Sequence, residues 1–393
     1  MKAILVGGGI GGLTAALALD QIGWDVSVLE RAPELGEIGA GVQISPNGIK
    51  VLDALGVMPR IEATLFQPDA IEIRHGPTGR KFFHLPMKAV ALERWGARYI
   101  QIHRADLVDG LAATLRDRQP DALRTGAEVA AYETSSKGAA VTLTTGERCE
   151  ADLIIGADGI HSVIRDQMLG PDEPVFTGNV AWRAVVPVAD LDPDVVPPPS
   201  GCVWTGPGKH AVTTRIRGGS VVNFVGVVEQ DAWTQEGWSL TGTAAQAHAD
   251  FGGWNPTLAA IIDAAPTLHR WALFTRPPLP RWSDGAVALL GDAAHPMLPS
   301  MAQGAVQAME DAFVLARELE KGGMISAACE RYYAARIDRV TRVQEQSAAN
   351  LALFHRRGVL SQLQAYAPIW LAGKVAPRLL QRRNDWLYGA ELG

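Results

Sequence analysis

The sequence predicts an α/β protein: a parallel sheet assembled from separated stretches of the chain, with β-rich material inserted between them. Three observations predict it. Short apolar strands that stop at glycine or aspartate stand near the start, middle and end of the 393 residues, in "AILVGGG", "DLIIGAD" and "VALLGD". The first runs through a glycine turn into a helix and a second strand, the β-α-β unit from which parallel sheets are built. From 175 to 275 the texture changes to tryptophans, prolines and alternating strands such as "AVTTRIRGGSVVNFVGVV".

Taken in order, Ala3 to Val6 is an apolar run of the kind buried on both faces. Leu13 to Ile22 has helical composition with Gly23 as its stop, and Asp25 to Glu30 alternates into a second strand. Between them lie Gly7, Gly8, Gly9, Gly11 and Gly12. Each glycine costs backbone entropy when it is ordered, so bare backbone is needed here. Gly7, Gly9 and Gly12 fill a G-x-G-x-x-G turn: the first permits the tight turn, the second lets a pyrophosphate approach, and the third lets helix and strand pack closely. Free N–H groups at the helix start face the phosphates. Glu30 ends the second strand at roughly the 20-residue distance where a carboxylate holds a ribose 2′-hydroxyl. The unit predicts a bound dinucleotide. NAD, NADP and FAD all carry the adenosine pyrophosphate, and an acidic ribose partner argues against the 2′-phosphate of NADP.

A loop and a helix, "PNGIKVLDALGV", come next. Residues 70–85 read as a hairpin around Gly76-Pro77-Thr78-Gly79. "ARYIQIHRADLVDGLAATL" is a strand running into a helix, and "GAAVTLTTGERCEADLIIGAD" a β-meander ending in a buried strand. After the β-rich stretch, "GAVALLGD" is a short strand and "AVQAMEDAFVLARELEKGG" a long helix with a glycine stop. "SQLQAYAPIWLAGKVAPRLLQRR" mixes apolar and basic residues; docking of its apolar face on the protein body is favoured over contact with a membrane surface. Asp158 and Asp292 end two of the strands, where ligands of open α/β sheets bind. Either alone reads as a turn or cap; both together with the glycine turn read as a binding site.

Composition narrows the partners. With 36 Lys and Arg against 42 Asp and Glu the net charge is −6, which disfavours nucleic acid and anionic membrane. Cys149, Cys202 and Cys329 lie far apart without a CxxC, so neither a disulfide frame nor a zinc site is expected, and the cytoplasm is the expected location. Neither a signal peptide nor a transmembrane helix is predicted.

These motifs resemble the class A FAD-dependent aromatic hydroxylases, in their salicylate hydroxylase-like branch. The matching stretches are "GGGIGGL" with Glu30, "IHRADL", "GADGIHSVIR", "AWRAVVP", "GPGKH", "LLGDAAHPMLPSMAQGAVQAMEDA" and "DWLYG", in family order along nearly the whole chain. The resemblance implies a Rossmann-like FAD-binding domain of the glutathione reductase type (residues 1–69, 98–175 and 276–355). It also implies an inserted β-sheet substrate domain like that of p-hydroxybenzoate hydroxylase (70–97 and 176–275) and a C-terminal helical segment (356–393). It implies that Gly7, Gly9, Gly11 and Gly12 cradle the FAD pyrophosphate and that Glu30, with Arg31 beside it, holds the adenosine ribose. Val129 would meet the adenine through its backbone, Arg104 the cofactor and its phosphates, and Asp158 both FAD and the reducing nucleotide. Asp292 would bond the ribityl chain, with Val42, Pro299 and the Gln303-Gly304-Ala305 turn against the isoalloxazine. That turn opens a long helix, whose positive end suits an anionic reduced flavin.

In this family NADH or NADPH reduces FAD, O₂ adds to give a hydroperoxide, and an OH passes to an electron-rich ring; the hard chemistry is the cofactor's. The protein must exclude water, position the ring and favour the phenolate. His210 of "GPGKH" is the candidate base, since histidine titrates near neutral pH; the other reading is a histidine buried in the sheet with its hydrogen bond satisfied. Arg183 and Arg215 are candidates for a substrate carboxylate, which arginine pairs bidentately. His295, after the ribityl Asp, is expected to be structural or a flavin-side contact. Where many relatives carry Tyr-Pro, this chain has Thr213-Thr214-Arg215, and Pro299, Ser300 and Met301 stand where relatives often carry an aromatic or a glutamine. The expected function is a monooxygenase of a small phenolic or heteroaromatic acid: salicylate- or hydroxybenzoate-like first, hydroxypyridine carboxylates next. The alternatives are a bulkier non-acidic aromatic or a purine as substrate, or a flavin-binding redox sensor without turnover. The C-terminal segment packs on its own domain or forms a homodimer.

Overall fold

The structure, a computed structural model, describes residues 1–36, 40–135, 138–233 and 240–391. The last two residues of the expected C-terminal segment lie outside them. The chain begins with β1 (Lys2–Val6), α1 (Ile10–Gln21) and β2 (Asp25–Leu29), then β3 (Gly41–Ile44), α2 (Pro46–Ala54) and the short α3 (Met58–Ile61). The hairpin β4 (Ile71–His75) and β5 (Lys81–Leu85) precedes α4 (Met87–Trp95). β6 (Ile100–His103) runs directly into α5 (Arg104–Arg118), followed by β7 (Leu123–Arg124). The meander β8 (Val129–Ser135), β9 (Gly138–Leu143) and β10 (Arg148–Ala151) leads to β11 (Leu153–Gly156) and α6 (Val163–Leu169). Next come β12 (Val175–Pro187), β13 (Gly201–Gly206), β14 (Lys209–Ile216), β15 (Val221–Glu229) and β16 (Thr241–Gly242), with α7 (Ala244–Phe251), α8 (Pro256–Ala264) and β17 (Leu268–Thr275) behind them. The chain ends in β18 (Ser283–Asp284), β19 (Val287–Leu289), α9 (Gly304–Glu320), α10 (Ile325–Phe354), α11 (Val359–Val375), α12 (Pro377–Arg382) and α13 (Asp385–Tyr388).

Two large sheets organise these elements. The first has six strands in the order β18-β19-β11-β1-β2-β7, parallel except for β18. Its central strands are buried on both faces, as their unbroken apolar sequences require. The apolar residues of α1, α5 and α9 share one core with them. The second sheet has eight strands, β16-β17-β12-β15-β14-β13-β4-β5, antiparallel apart from the β13–β4 pair. Trp182, Trp204 and Phe224 fill the layer between one face of this sheet and α7 and α8; the other face looks toward the first sheet's strand ends. The hairpin expected over 70–85 forms its edge.

Helix α1 starts at Ile10, three residues before the composition suggests, because Gly11 and Gly12 are inside its first turn. The "DWLYG" stretch is a clamp: the Asp385 carboxylate accepts from Arg94 Nε (2.8 Å) and Nη2 (2.6 Å) and from Trp95 Nε1 (2.9 Å), fixing α13 on α4. The docking expected of the C-terminal apolar face is only partial. Tyr366 of α11 is buried and stacks on Phe82, while Leu360, Leu363, Leu371, Val375 and Leu379 are exposed. Among the described residues no helix is long and apolar enough to cross a membrane.

Candidate active site

Strands β1, β2, β11 and β19 run parallel, so their carboxyl ends open on one edge of the sheet. Two cavities lie there, of about 350 and about 330 Å³. They meet at Gly9, Arg104, Ala157 and Gly159, which line both, and so form one long slot.

The first cavity is lined by Gly7, Gly9, Glu30, Arg31, Val129 and Asp158 among others. The glycines have separate reasons. A side chain on Gly12 would collide with the Gly7 carbonyl, and Gly7, at φ +110°, would put one 2.5 Å from the Ala157 carbonyl oxygen. A Cβ on Gly9 meets nothing within 4 Å, because Gly9 faces the slot. The Glu30 carboxylate is held by the N–H groups of Gly8 (2.7 Å) and Ala32 (2.8 Å), and each oxygen keeps a lone pair for a further donor. Asp158 accepts from the Ile164 N–H through Oδ2 (3.3 Å), while its buried Oδ1 has no hydrogen-bond partner. Burial pushes this carboxyl above the usual carboxylate range. A buried acceptor without a donor beside a glycine cradle fits a hydroxyl- and phosphate-bearing ligand.

The second cavity is walled on one side by Val42, Asp292, Pro299, Gly304 and Ala305, with Gly11 at its base. Asp292 is exposed, but to cavity space inside the protein. The surrounding protein therefore raises its carboxyl, against the pull of His295 and Arg104. Helix α9 begins at Gly304 without a side-chain cap, so its first N–H groups point at this space. A buried polar cluster holds that helix start. Arg336 donates to Asp311 (2.7 Å) and Glu310 (2.5 Å), and Asn47 donates to Glu310 (2.6 Å) and Gln303 (3.3 Å). Asp311 also accepts from the Gly291 N–H (3.1 Å) and pairs with His295 Nε2 (2.5 Å). His295 is thus tied to the cluster and does not line the cavity.

The opposite wall is the inner face of the eight-stranded sheet, with His210, Val212, Asn223, Val225 and Val227. The glycine turn, the strand-end carboxylates and this wall together describe a slot for a long cofactor that ends against a small apolar chamber.

Comparison with known proteins decides the family. The family model described as FAD binding domain matches residues 1–347. A 3-amino-4-hydroxybenzoate 2-monooxygenase of Streptomyces platensis is 37% identical over 352 residues, covering 89% of this chain and 88% of its own. A 3-hydroxybenzoate 6-hydroxylase of Aquipseudomonas alcaligenes is 35% identical over 389 residues, covering 99% and 97%. The chain belongs to the FAD-dependent aromatic hydroxylases. Among solved structures, HpxO of Klebsiella pneumoniae complexed with FAD and uric acid superposes with a TM-score of 0.87 at 30% identity, over 100% of this chain and 98% of that one. The hydroxylase is accordingly an enzyme that uses FAD, reduced nicotinamide and O₂ on a small aromatic compound.

Of the residues singled out in the hydroxylase's sequence as glycine-turn, strand-end, flavin-side or base candidates, the slot gathers most; Gly12 packs beneath the turn, His295 and Gln303 belong to the buried polar cluster, and the two arginines do not line it. Arg183 lies on the cavity-side face, opposite Val225 across the strands, but its guanidinium sits over the Trp271 ring at 4.3 Å and does not line the chamber. Arg215 is an odd number of residues from His210 on the same strand and points to the other face. It donates to the carbonyls of Pro197 (2.7 Å) and Gly219 (3.2 Å). Counting by twos along "HAVTTR" finds this from sequence alone.

His210 is 2% exposed, and its Nδ1 lies 2.7 Å from His355 Nε2. Burial and His355 hold it well below the ordinary histidine value. His355, Asn223 and Gln43 were not found by sequence reading. Asn223 accepts from the Gly41 N–H (2.8 Å) and donates to Thr214 (3.1 Å); Gln43 accepts from the Tyr99 hydroxyl (2.9 Å). None lies in a local motif. Among the described residues no group of three or more His, Cys, Asp or Glu is arranged to hold a metal.

Proposed function

We propose that the hydroxylase acts on a small phenolic or heteroaromatic acid, with His210 taking the proton of the ring hydroxyl. The observation that carries this reading is the chamber shared by His210, Val212, Val225 and Val227 on one side and Asp292, Pro299, Gly304 and Ala305 on the other. It joins a proton acceptor, a valine-lined wall and a cofactor-sized slot. FAD, when bound, supplies the electron and oxygen chemistry. Gly7, Gly9 and Gly11 would border its pyrophosphate, with Gly12 packed beneath the turn and Arg104 and Asp158 alongside; Glu30 and Arg31 would serve the ribose and Val129 the adenine. Asp292 bonds the ribityl chain. Val42, Pro299 and the N–H groups of Gly304 and Ala305 border the flavin ring, where a helix N-terminus favours negative charge. The valines of this wall keep water from the ring, and His210 is its titratable group, beside the amides of Asn223 and Gln43. A neutral imidazole is the form able to accept a proton, and burial keeps His210 neutral near pH 7.

A second reading, a neutral aromatic or a purine as substrate, is favoured by one observation: among the described lining residues the only fixed cation is Arg104, at the cofactor end. The structural neighbour complexed with uric acid points the same way. The test is NADH and NADPH oxidation across hydroxylated benzoates, hydroxypyridine carboxylates, neutral phenols and purines, with product mass recorded. Strong stimulation by the acids with a product one oxygen heavier supports the first reading. Stimulation confined to neutral compounds replaces it with the second, and no stimulation by any compound removes both.

Free Cys149, Cys202 and Cys329 support a cytoplasmic location. The exposed leucines of α11 and α12 support a homodimer, expected to sediment at twice the 42.0 kDa chain mass; a monomer at every concentration removes it.

A further inference from the structure

We propose that His355 and Glu229 form a proton path from His210 to the protein surface, making them positioning residues for the deprotonation step. The path rests on the reading of His210 as the base. His210 on β14 and His355 just beyond α10 are both buried, at 2% and 5% exposure. His355 Nδ1 lies 3.2 Å from Glu229 Oε1 at the end of β15, and the Glu229 side chain is 38% exposed and pairs with Arg357. So three titratable groups join the chamber wall to solvent in two hydrogen bonds.

The backbone holds this line in register. The Glu229 N–H donates to the Gly208 carbonyl (2.9 Å), and the Gly208 N–H donates to the His355 carbonyl (3.1 Å). Gly208 has φ +66°, a left-handed conformation that favours glycine at this turn of "GPGKH".

Hydrogen-bond direction follows from the carboxylate end. Glu229 accepts, so His355 carries its proton on Nδ1 and presents a lone pair at Nε2. His210 therefore donates Nδ1–H to His355 and keeps its own lone pair on Nε2. When the substrate O–H breaks, an N–H forms at His210 Nε2. The Nδ1–H of His210 moves to His355 Nε2, the Nδ1–H of His355 moves to Glu229, and Glu229 releases one proton to water. No electron is transferred. The reverse sequence returns a proton to the phenolic product before it leaves. Burial lowers both histidines from the ordinary value, with Glu229 drawing His355 back up and Arg357 opposing it. Neither ring retains the proton, as a relay requires. The charged or titratable groups facing His355 are thus His210 on β14, Glu229 on β15 and Arg357 on its own loop; the Phe354 ring packs on His210 at 5.2 Å.

The test uses the full-length chain loaded with FAD and 3-hydroxybenzoate as first probe, or the phenol of the panel that stimulates most. Phenolate formation on binding is followed by its absorbance shift, and hydroxylation is followed against pH and added imidazole. His355→Ala is expected to retain FAD and probe affinity while slowing phenolate formation about tenfold or more. The pH profile shifts, and free imidazole restores part of the rate. Glu229→Gln slows it less. Unchanged rates and pH profile in His355→Ala, or a loss that imidazole does not repair, overturn the path. If His355→Ala loses FAD or fails to fold, His355→Gln, which keeps hydrogen bonds but cannot titrate, decides: wild-type rates overturn the path. A His210→Ala variant that hydroxylates at the wild-type rate, or a wild type that no phenol stimulates, instead removes the reading of His210 on which the path rests.

Discussion

At the scale of single residues, the site depends on polar atoms that the protein leaves unsatisfied on one side. Asp292 opens into the chamber with its carboxyl raised by its surroundings, so it is stabilised only when a donor arrives. Asp292→Ala should weaken FAD retention roughly tenfold or more, the loss of about 1.5–3 kcal/mol typical of a hydrogen bond to a charged group. The flavin-to-protein absorbance ratio after gel filtration measures it, and a fully yellow variant would refute the assignment. His210 presents the opposite case, a base kept neutral by burial. His210→Ala should lower hydroxylation by about 10²-fold or more with FAD content intact. In the wild type the rate should stay level through neutral pH and fall only on acidification below about 6.5, since protonation of His210 requires a pH beneath that of a free imidazole. The variant should lose that acid limb, and a variant profile identical in shape to wild type would return His210 to the sheet core.

At the scale of elements, α9 is positioned by charge as much as by packing. Glu310 and Asp311 are fully buried, and Arg336, 1% exposed, bonds both. The guanidinium and its neighbours hold both carboxyls below their ordinary range despite burial. Removing Arg336 leaves two buried charges uncompensated, so Arg336→Ala should destabilise by about 3–5 kcal/mol in denaturant unfolding. FAD retention should fall with it, because the same cluster fixes Gly291 and Gln303 at the two ends of the cofactor turn. A variant within about 1 kcal/mol of wild type would show that packing alone places the helix. The strands and long helices were legible because period and apolar runs write them directly. The start of α1 was not, because glycine is a poor helix former and the motif puts two glycines in the first turn. Nor was the exposed apolar face of α11, since composition marks a face as apolar without saying what covers it.

At the scale of the whole molecule, His75, His103, His210, His269 and His355 are all lowered by burial. In the unfolded chain each binds a proton near pH 6.5, while the folded chain resists it. The unfolded state therefore holds more protons just below that pH, and stability falls with acidification. The contribution is fully present above about pH 6.5 and is lost as pH drops toward the lowered folded values. The melting temperature of the FAD-saturated protein should be level from pH 8 to 7 and decline from 6.5 to 5.5; a level or rising value across the lower interval would contradict the sign. By itself the sequence determined the parallel sheet, the glycine turn, the strand-end carboxylates and the family, because each is a demand on backbone or side chain met within a few consecutive residues. Only the tertiary structure decided that His210 meets His355 across 145 residues and that Arg215 turns from the chamber to bind loop carbonyls. It also decided that one buried arginine serves two carboxylates. Those facts follow from strand register and helix packing, which bring together side chains whose partners no local pattern names.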